Sequence, residues 1–422
     1  MDSPGDPVTA AHPAARPAAE LAGSFLPFAL PDIGEAEIEA VVRVLRSGWI
    51  TTGPEVQAFE REFAEYLGVR HAIAVNSCTA ALHLALEAAG IGPGDEVLTS
   101  TLTFTATAEV VEYLGARTRF VDVEPVWLNL DPVAVRRLIE SEYQPRGDGW
   151  YHRGTGGRLR ALVPVHYAGH PCDMAALQAI AGEYGLVLVD DAAHALPAAI
   201  DGVRVGRVGS ATAFSFYATK TLTTAEGGML TTENDALAAR ARIMALHGIS
   251  RDAWRRYSAE GNWYYEVTAA GFKYNLTDLA AALGRVQLRR VDAMRSRRAQ
   301  LAAHYDAGLA GMASVERPTV GARVEHAWHL YPIRLRLDAL SIDRARCIQE
   351  LRARGIGTSV HFIPLHRQPF YAQRYGYRPA EFPVAEAEFP RLISLPIYSR
   401  MSDGEVDRVV AAISDVIHRF GR

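Results

Sequence analysis

Apolar positions recur along this chain with two alternating periods. Ile38, Val41, Val42 and Leu45 fall at helical spacing, and Gly48 supplies a stop. Pro54 opens the next helix, which carries Val56, Phe59, Phe63 and Leu67 on one side and meets Gly68 at its end. A short strand at 71–76 then runs into a helix over 79–89. Further strands are predicted at 96–100, 119–123, 159–166, 186–190, 212–216 and 229–232. Helices with definite starts lie between them: Asp131-Pro132 opens one, and Asp173 caps another over 174–184. Strand, helix, strand in succession predicts a mainly parallel sheet with helices on both faces. Ligands of such sheets sit at the carboxyl ends of the strands, so the chemistry is sought in the loops there. The segment 142–158, rich in Gly and Arg, reads as an exposed excursion rather than core.

After Asn275 the pattern changes. Thr277 caps a helix running through Leu288, and a long helix follows to about Leu309. A strand near 330–337, a helix over 343–354 and a strand over 357–362 come next. The last helix starts at Ser402-Asp403-Gly404-Glu405, a capping-box spacing. The expected organisation is a flexible leader over 1–24, a large α/β domain over 25–288 and a smaller α+β domain over 289–422.

Composition narrows the function. At 422 residues, 49% hydrophobic and 22% charged, the chain has the profile of a globular protein with two domains. A net charge of −4 argues against nucleic acid or an anionic membrane as the partner. Cys78, Cys172 and Cys347 lie far apart without a Cys-x-x-Cys pair, which points away from disulfides and zinc and toward a reducing cytoplasm. His326, His329, His361 and His366 form no His-Glu-x-x-His, and no metal is expected.

Three stretches carry candidate chemistry. In Ser215-Phe216-Tyr217-Ala218-Thr219-Lys220, a strand ends in a hydroxyl and a lysine follows in a loop closed by Gly227-Gly228. An amine there forms an imine with an aldehyde cofactor if its surroundings favour the neutral form; the plainer alternative is a surface lysine on a hairpin. In Val187-Leu188-Val189-Asp190-Asp191-Ala192-Ala193-His194, an apolar strand ends in two acids. A carboxylate at that place pairs with a protonated pyridine nitrogen, and Asp191 is the better placed because small residues follow it. Metal binding or a contact with a helix N-terminus is the alternative for such a pair. Asn76-Ser77-Cys78-Thr79-Ala80-Ala81 is a strand-to-helix turn of small residues whose free amides point at an anion. It lacks a nucleoside-triphosphate loop pattern, so a phosphate monoester held by amides, Thr79 and Ser215 fits better. Cys78 reads as a small filler, not a nucleophile.

Together these stretches resemble the sugar-nucleotide aminotransferases, the DegT/StrS group of fold-type-I (aspartate-aminotransferase-like) pyridoxal enzymes. The resemblance runs on through Thr103-Phe104, His166-Tyr167-Ala168-Gly169-His170-Pro171, Gly271-Phe272-Lys273-Tyr274-Asn275-Leu276-Thr277-Asp278, His326-Ala327-Trp328-His329 and Ser394-Leu395-Pro396-Ile397-Tyr398. It implies that Lys220 carries pyridoxal 5'-phosphate as a Schiff base and shuttles the proton. Asp191 then pairs with the pyridine nitrogen, His194 sits near the ring oxygen and Phe104 stacks on the ring. Cys78 and Thr79 amides hold the phosphate with Ser215, and Asn275 reaches it from a partner subunit. His329 and His361 lie near the sugar. The implied assembly is a homodimer with shared sites, with the aromatic stretch 254–272 at its interface.

The implied reaction moves an amino group from L-glutamate to the keto carbon of a dTDP- or UDP-linked 4-keto-6-deoxy sugar. The wording of His361-Phe362-Ile363-Pro364-Leu365-His366 and Asn76-Ser77-Cys78-Thr79 most resembles members that aminate C4, with C3 amination of a 3-keto sugar as the alternative. Thr221 and Pro197 depart from the group's usual pattern in loops beside the site. A non-catalytic sensor of the same fold would lack the lysine or the aspartate, and both are present.

Overall fold

The computed structural model describes residues 25–249 and 265–422. The leader at 1–24 and most of the aromatic stretch 254–272 lie outside them.

In chain order the first strands are β1 (His71–Val75), β2 (Asp95–Ser100), β3 (Arg117–Val121), β4 (Tyr143–Arg146), β5 (Gly149–His152) and β6 (Arg158–Val163). They are followed by β7 (Val187–Asp191), β8 (Ala199–Ile200), β9 (Val203–Arg204), β10 (Ala211–Ser215) and β11 (Gly228–Thr232). The main sheet runs β1-β11-β10-β7-β6-β2-β3. Every neighbouring pair from β10 across to β3 is parallel, while β11 lies antiparallel to both β1 and β10. This is the expected mainly parallel sheet. Its period-2 alternation sorts side chains to two helical layers. Val189, Ala213 and Leu230 pack toward helix α3, whose residues Leu82 and Leu86 share their cluster. Phe214, Phe216 and Met229 pack instead against Phe59 and Phe63 on the opposite face.

The first helices form where the pattern places them. Helix α1 (Glu35–Ser47) ends at Gly48, α2 (Pro54–Leu67) starts on Pro54 and ends at Gly68, and α3 spans Cys78–Ala88. Asp131 caps the helix Pro132–Glu142, and Asp173 caps Met174–Tyr184, each accepting a backbone N–H in the first turn.

Two expectations are corrected and a third is refined. The segment 142–158 is largely exposed, as expected, yet it is regular structure: β4 and β5 form a hairpin, and β5 adds to β6. It is anchored because Tyr143 is fully buried and donates to the buried Glu96 carboxylate at 2.5 Å. The helices expected on either side of 288 are one helix, Asp278–Gly308. Arg, Leu, Gln, Ala and Met around that point favour helix, and no proline breaks it. Its start packs Ala281, Leu288 and Val291 beside Phe59 and Phe63, and its end packs Leu301 and Tyr305 into the C-terminal core. The strand expected over 357–362 does not form. Ser359 makes a single bridge to Ser394, after which the chain turns His361 and Phe362 into a cavity.

The C-terminal part centres on a three-stranded antiparallel sheet, Val315–Glu316, Tyr331–Leu335 and Leu392–Leu395. The last helix, Asp403–Phe420, begins with the expected capping box between Ser402 and Glu405. No described helix is long and apolar enough to cross a membrane.

The hairpin's anchor is testable. Tyr143→Phe removes the hydroxyl donor from Glu96 and should cost about 1–3 kcal/mol, the penalty of a buried acceptor left short of a partner. Urea unfolding followed by circular dichroism measures it. A midpoint equal to that of the unsubstituted protein would show that the hairpin is peripheral to the core.

Candidate active site

Three strand ends converge on one place. Val75, at the end of β1, and Ser215, at the end of β10, both lie opposite Gly228, the first residue of β11. Asp191 ends β7, one strand further on. Helix α3 starts just after β1, and Ser77 caps it by accepting the Ala80 N–H at 3.0 Å. The Cys78 and Thr79 amides in that first turn have no partner within the helix. A Cβ on Gly228 would stand 2.5 Å from the Ser77 carbonyl, so only glycine lets the first turn of α3 come so close.

The loop that follows Ser215 is stitched to itself. Lys220 N–H donates to the Tyr217 carbonyl at 2.9 Å, Thr224 N–H to that of Phe216 at 2.9 Å, and Thr224 Oγ1–H to that of Glu226 at 2.7 Å. Lys220 is thereby held half-buried on the wall of a cavity of about 520 Å³. Burial pulls its ammonium down from the ordinary 10.5 to about 8, against the opposing pull of Cys78 and Asp191. At pH 7 roughly a tenth of such an amine is neutral, against about three in ten thousand of a free lysine. Burial, helped by the Asp191 charge, pushes the Cys78 thiol well above its usual value, which leaves it a neutral packing group.

Asp191 is buried in the same cavity. Its Oδ2 accepts the Thr107 hydroxyl at 2.7 Å and its Oδ1 the Ala193 N–H at 3.0 Å. Because Thr107 gives its proton to Asp191, the Thr103 hydroxyl 2.7 Å away must donate to Thr107. Burial raises the Asp191 carboxyl, while these bonds and Lys220 hold it down. Asp190 points through the opposite face of the sheet, where Thr212 donates to it at 3.1 Å and burial lifts it to about 7. The strand alternation thus separates the two acids and leaves only Asp191 in the cavity.

Three histidines close the remaining wall. The rings of His194 and His329 lie 4.3 Å apart, and those of His194 and His361 6.4 Å. Burial and the Lys220 charge lower all three, His361 to about 4, so they are neutral at pH 7. His361 Nδ1 meets Ser394 Oγ at 2.9 Å, while Nδ1 of His194 and of His329 are buried without a partner. Phe104 lines the cavity with 59% of its surface exposed, an apolar face with nothing stacked on it.

Of the ten residues singled out from the sequence, nine line this cavity. The other, Asn275, lies apart on a second cavity, donating to Thr52 Oγ1 at 2.6 Å and accepting from Lys273 Nζ at 2.6 Å. Sequence reasoning missed Tyr217, Thr219, Glu226 and Phe362 as cavity residues, and Thr107 as the donor that fixes Asp191. The Thr103/Thr107 pair had a readable signal, two hydroxyls four apart at a helix start. Among the described residues no group of three or more His, Cys, Asp or Glu side chains is placed to hold a metal ion.

The sequence profile of the DegT/DnrJ/EryC1/StrS aminotransferases matches residues 31–414. The chain belongs to this family. It is therefore an aminotransferase of fold-type I, built on the α/β sheet described above. Similar to this aminotransferase is the spore coat polysaccharide biosynthesis protein SpsC of Bacillus subtilis, 47% identical over 394 residues, 93% of this chain and 97% of that protein. Spr1654 of Streptococcus pneumoniae, solved in a PLP-form, superposes with a TM-score of 0.83 at 32% identity over 94% of this chain and 99% of that one. DesI, solved in the presence of its TDP-sugar product, has a TM-score of 0.78 at 30% identity over 92% of each chain.

The cavity of this aminotransferase fits pyridoxal phosphate group by group. Free amides at the start of α3 and the Ser215 hydroxyl suit a phosphate. The bare Phe104 face suits an aromatic ring, the unpartnered His194 Nδ1 a polar ring substituent, and Lys220 an aldehyde. The electrostatics of Lys220 carry a pH prediction. Only the neutral amine attacks an aldehyde, so reconstitution of cofactor-free protein should quicken as pH rises through about 8. Stopped-flow absorbance gives the profile; a midpoint near the ordinary lysine value of 10.5 would show that burial does not tune this amine.

Proposed function

We propose that this aminotransferase transfers an amino group from L-glutamate to C4 of a dTDP- or UDP-linked 4-keto-6-deoxy sugar, with pyridoxal 5'-phosphate as cofactor and in a homodimer with shared active sites. The carrying observation is the half-buried Lys220, lowered to about 8 and facing buried Asp191 across one cavity. Names among the relatives support the substrate class, since SpsC is a polysaccharide biosynthesis protein and DesI was solved with a TDP-sugar product. The preference for C4 rests on the resemblance in 361–366 and 76–79.

When bound, the cofactor ring supplies an electron sink for the substrate carbon. With the cofactor bound, Lys220 would hold its aldehyde carbon until the amino donor's nitrogen displaces it, and the freed amine would then take and return the proton exchanged between substrate and cofactor carbons. The burial that lowers Lys220 favours the neutral amine that this proton transfer needs. Asp191, fixed by Thr107 and Ala193, would keep the ring nitrogen protonated and would gain a counter-charge that offsets the burial of its carboxylate. Cys78 and Thr79 amides with the Ser215 hydroxyl would hold the phosphate, His194 would meet the ring oxygen and Phe104 would cover the ring. His329 and His361, neutral and close to Lys220, offer hydrogen bonds to sugar hydroxyls without repelling the ammonium. Asn275, absent from its own cavity, serves the phosphate of the second subunit.

Two measurements test this reading. Asp191→Asn should lower kcat about a hundredfold or more with folding intact, because the ring nitrogen loses its counter-charge. Asp190→Asn, on the other face of the sheet, should change kcat far less; the reverse ranking would reject the assignment. Incubation with glutamate and separate 4-keto and 3-keto sugar nucleotides, with NMR of the product, should locate the new C–N bond at C4. Amination of the 3-keto compound alone would move the assignment to C3.

A further inference from the structure

Of the 44 lysines and arginines in this chain only two are lysine, Lys220 and Lys273. Arginine serves the ion pairs elsewhere, as in Arg240 with Glu87 and Arg285 with Glu62. A composition that puts arginine at nearly every cationic position keeps lysine where a compact, single-point ammonium does what a planar guanidinium cannot. Lys220 meets that description as the reactive amine.

Lys273 is exposed, and among the described residues no carboxylate forms an ion pair with it. Its Nζ donates to Asn275 Oδ1 at 2.6 Å. That bond turns the carbonyl end of the Asn275 amide toward Lys273, while Nδ2 donates to Thr52 Oγ1 and Thr52 passes its own proton to the Leu276 carbonyl at 2.5 Å. The ammonium and the amide are therefore presented side by side.

The active-site cavity has the complementary need. Its described lining contains one cation, Lys220, which is committed to the cofactor, and no arginine. Asp191 and Glu226 add negative charge, and His194, His329 and His361 are held neutral. A phosphate monoester brings about 1.5 to 2 negative charges at pH 7, and a sugar nucleotide adds those of a diphosphate. Burying such anions without a cation is costly, so the site is incomplete within one chain.

We propose that Lys273 is a phosphate-binding residue of the active site, presented together with Asn275 to the cavity of a second copy of this chain. This rests on the shared-site reading above. The chemistry recognised is a phosphate oxyanion, from either the cofactor's monoester or the substrate's diphosphate. The ammonium gives one oxygen a charge-assisted bond and still reaches Asn275, which a guanidinium fork would displace.

Lys273→Met and Lys273→Arg in the full-length protein test it in two binding arms. Calorimetry of the holoenzyme with UDP and TDP reads the diphosphate; fluorescence titration of cofactor-free protein with pyridoxal phosphate reads the monoester. Lys273→Met should weaken one of the two at least about tenfold, and the arm that moves identifies the source. Lys273→Arg should recover only part of the loss. Unchanged affinity in both arms would overturn the proposal, and full recovery by Lys273→Arg would overturn the need for an amine. Subunit exchange between Lys273→Met and inactive Lys220→Ala then decides the chain of origin. Activity returning toward half of wild type per dimer supports action on the second copy; no recovery, with exchange confirmed by mass spectrometry, rejects it. The same exchange with Asn275→Ala reads the shared-site arrangement separately, so that its failure is distinguishable from failure of Lys273 alone.

Discussion

The contact between Gly228 and the first turn of α3 is the constraint on which the site depends. A strand residue with no side chain lies between the ends of β1 and β10, and the Ser77 backbone rests directly on it. That closeness sets the free amides of Cys78 and Thr79 beside Ser215, five residues before Lys220. A larger residue at 228 would lift the helix and separate the anion-binding amides from the amine. The antiparallel direction of β11 matters for the same reason: it lets one glycine face two parallel strand ends at once.

Burial then tunes what geometry has collected. The same apolar surroundings lower Lys220 and the three histidines and raise Asp191 and Cys78. Each shift favours the neutral form, so one cause equips the amine to react, silences the thiol and leaves the histidines as hydrogen-bonding groups. The aspartate is the member most in need of a cation, and its two donors already orient it toward one.

Much of this was legible in the sequence. Strands of the main sheet lie within three residues of their apolar runs, because buried parallel strands leave a strong pattern bounded by turn residues. Asp191, Ser215, Lys220, Cys78 and Thr79 were legible because they stand at or just after strand ends, whereas Phe104, His194, His329 and His361 came from the family resemblance alone. Errors fell where local pattern and tertiary context disagree. The polar stretch at 142–158 hides one buried tyrosine whose partner, Glu96, is 47 residues away. Residues 357–362 look like a strand, yet the need to turn His361 and Phe362 inward outweighs pairing with Leu392–Leu395. The acids of Asp190-Asp191 could be told apart only weakly from sequence, since their separation is a matter of which sheet face each one occupies.

The helix Asp278–Gly308 links two cores without a joint. Its 31 residues span about 46 Å, with one end packed beside the phenylalanines under the main sheet and the other inside the C-terminal core. Such a rod transmits displacement along its length instead of absorbing it, so the two halves share one mechanical frame. Adaptation to differently shaped sugars then falls to side chains on the rim, among them Tyr217 and Phe362, which can be exchanged one at a time. The rod begins three residues after Asn275, so its near end stays anchored while the far wall of the cavity is remodelled, and specificity can drift without disturbing the anchoring of the Lys273–Asn275 pair.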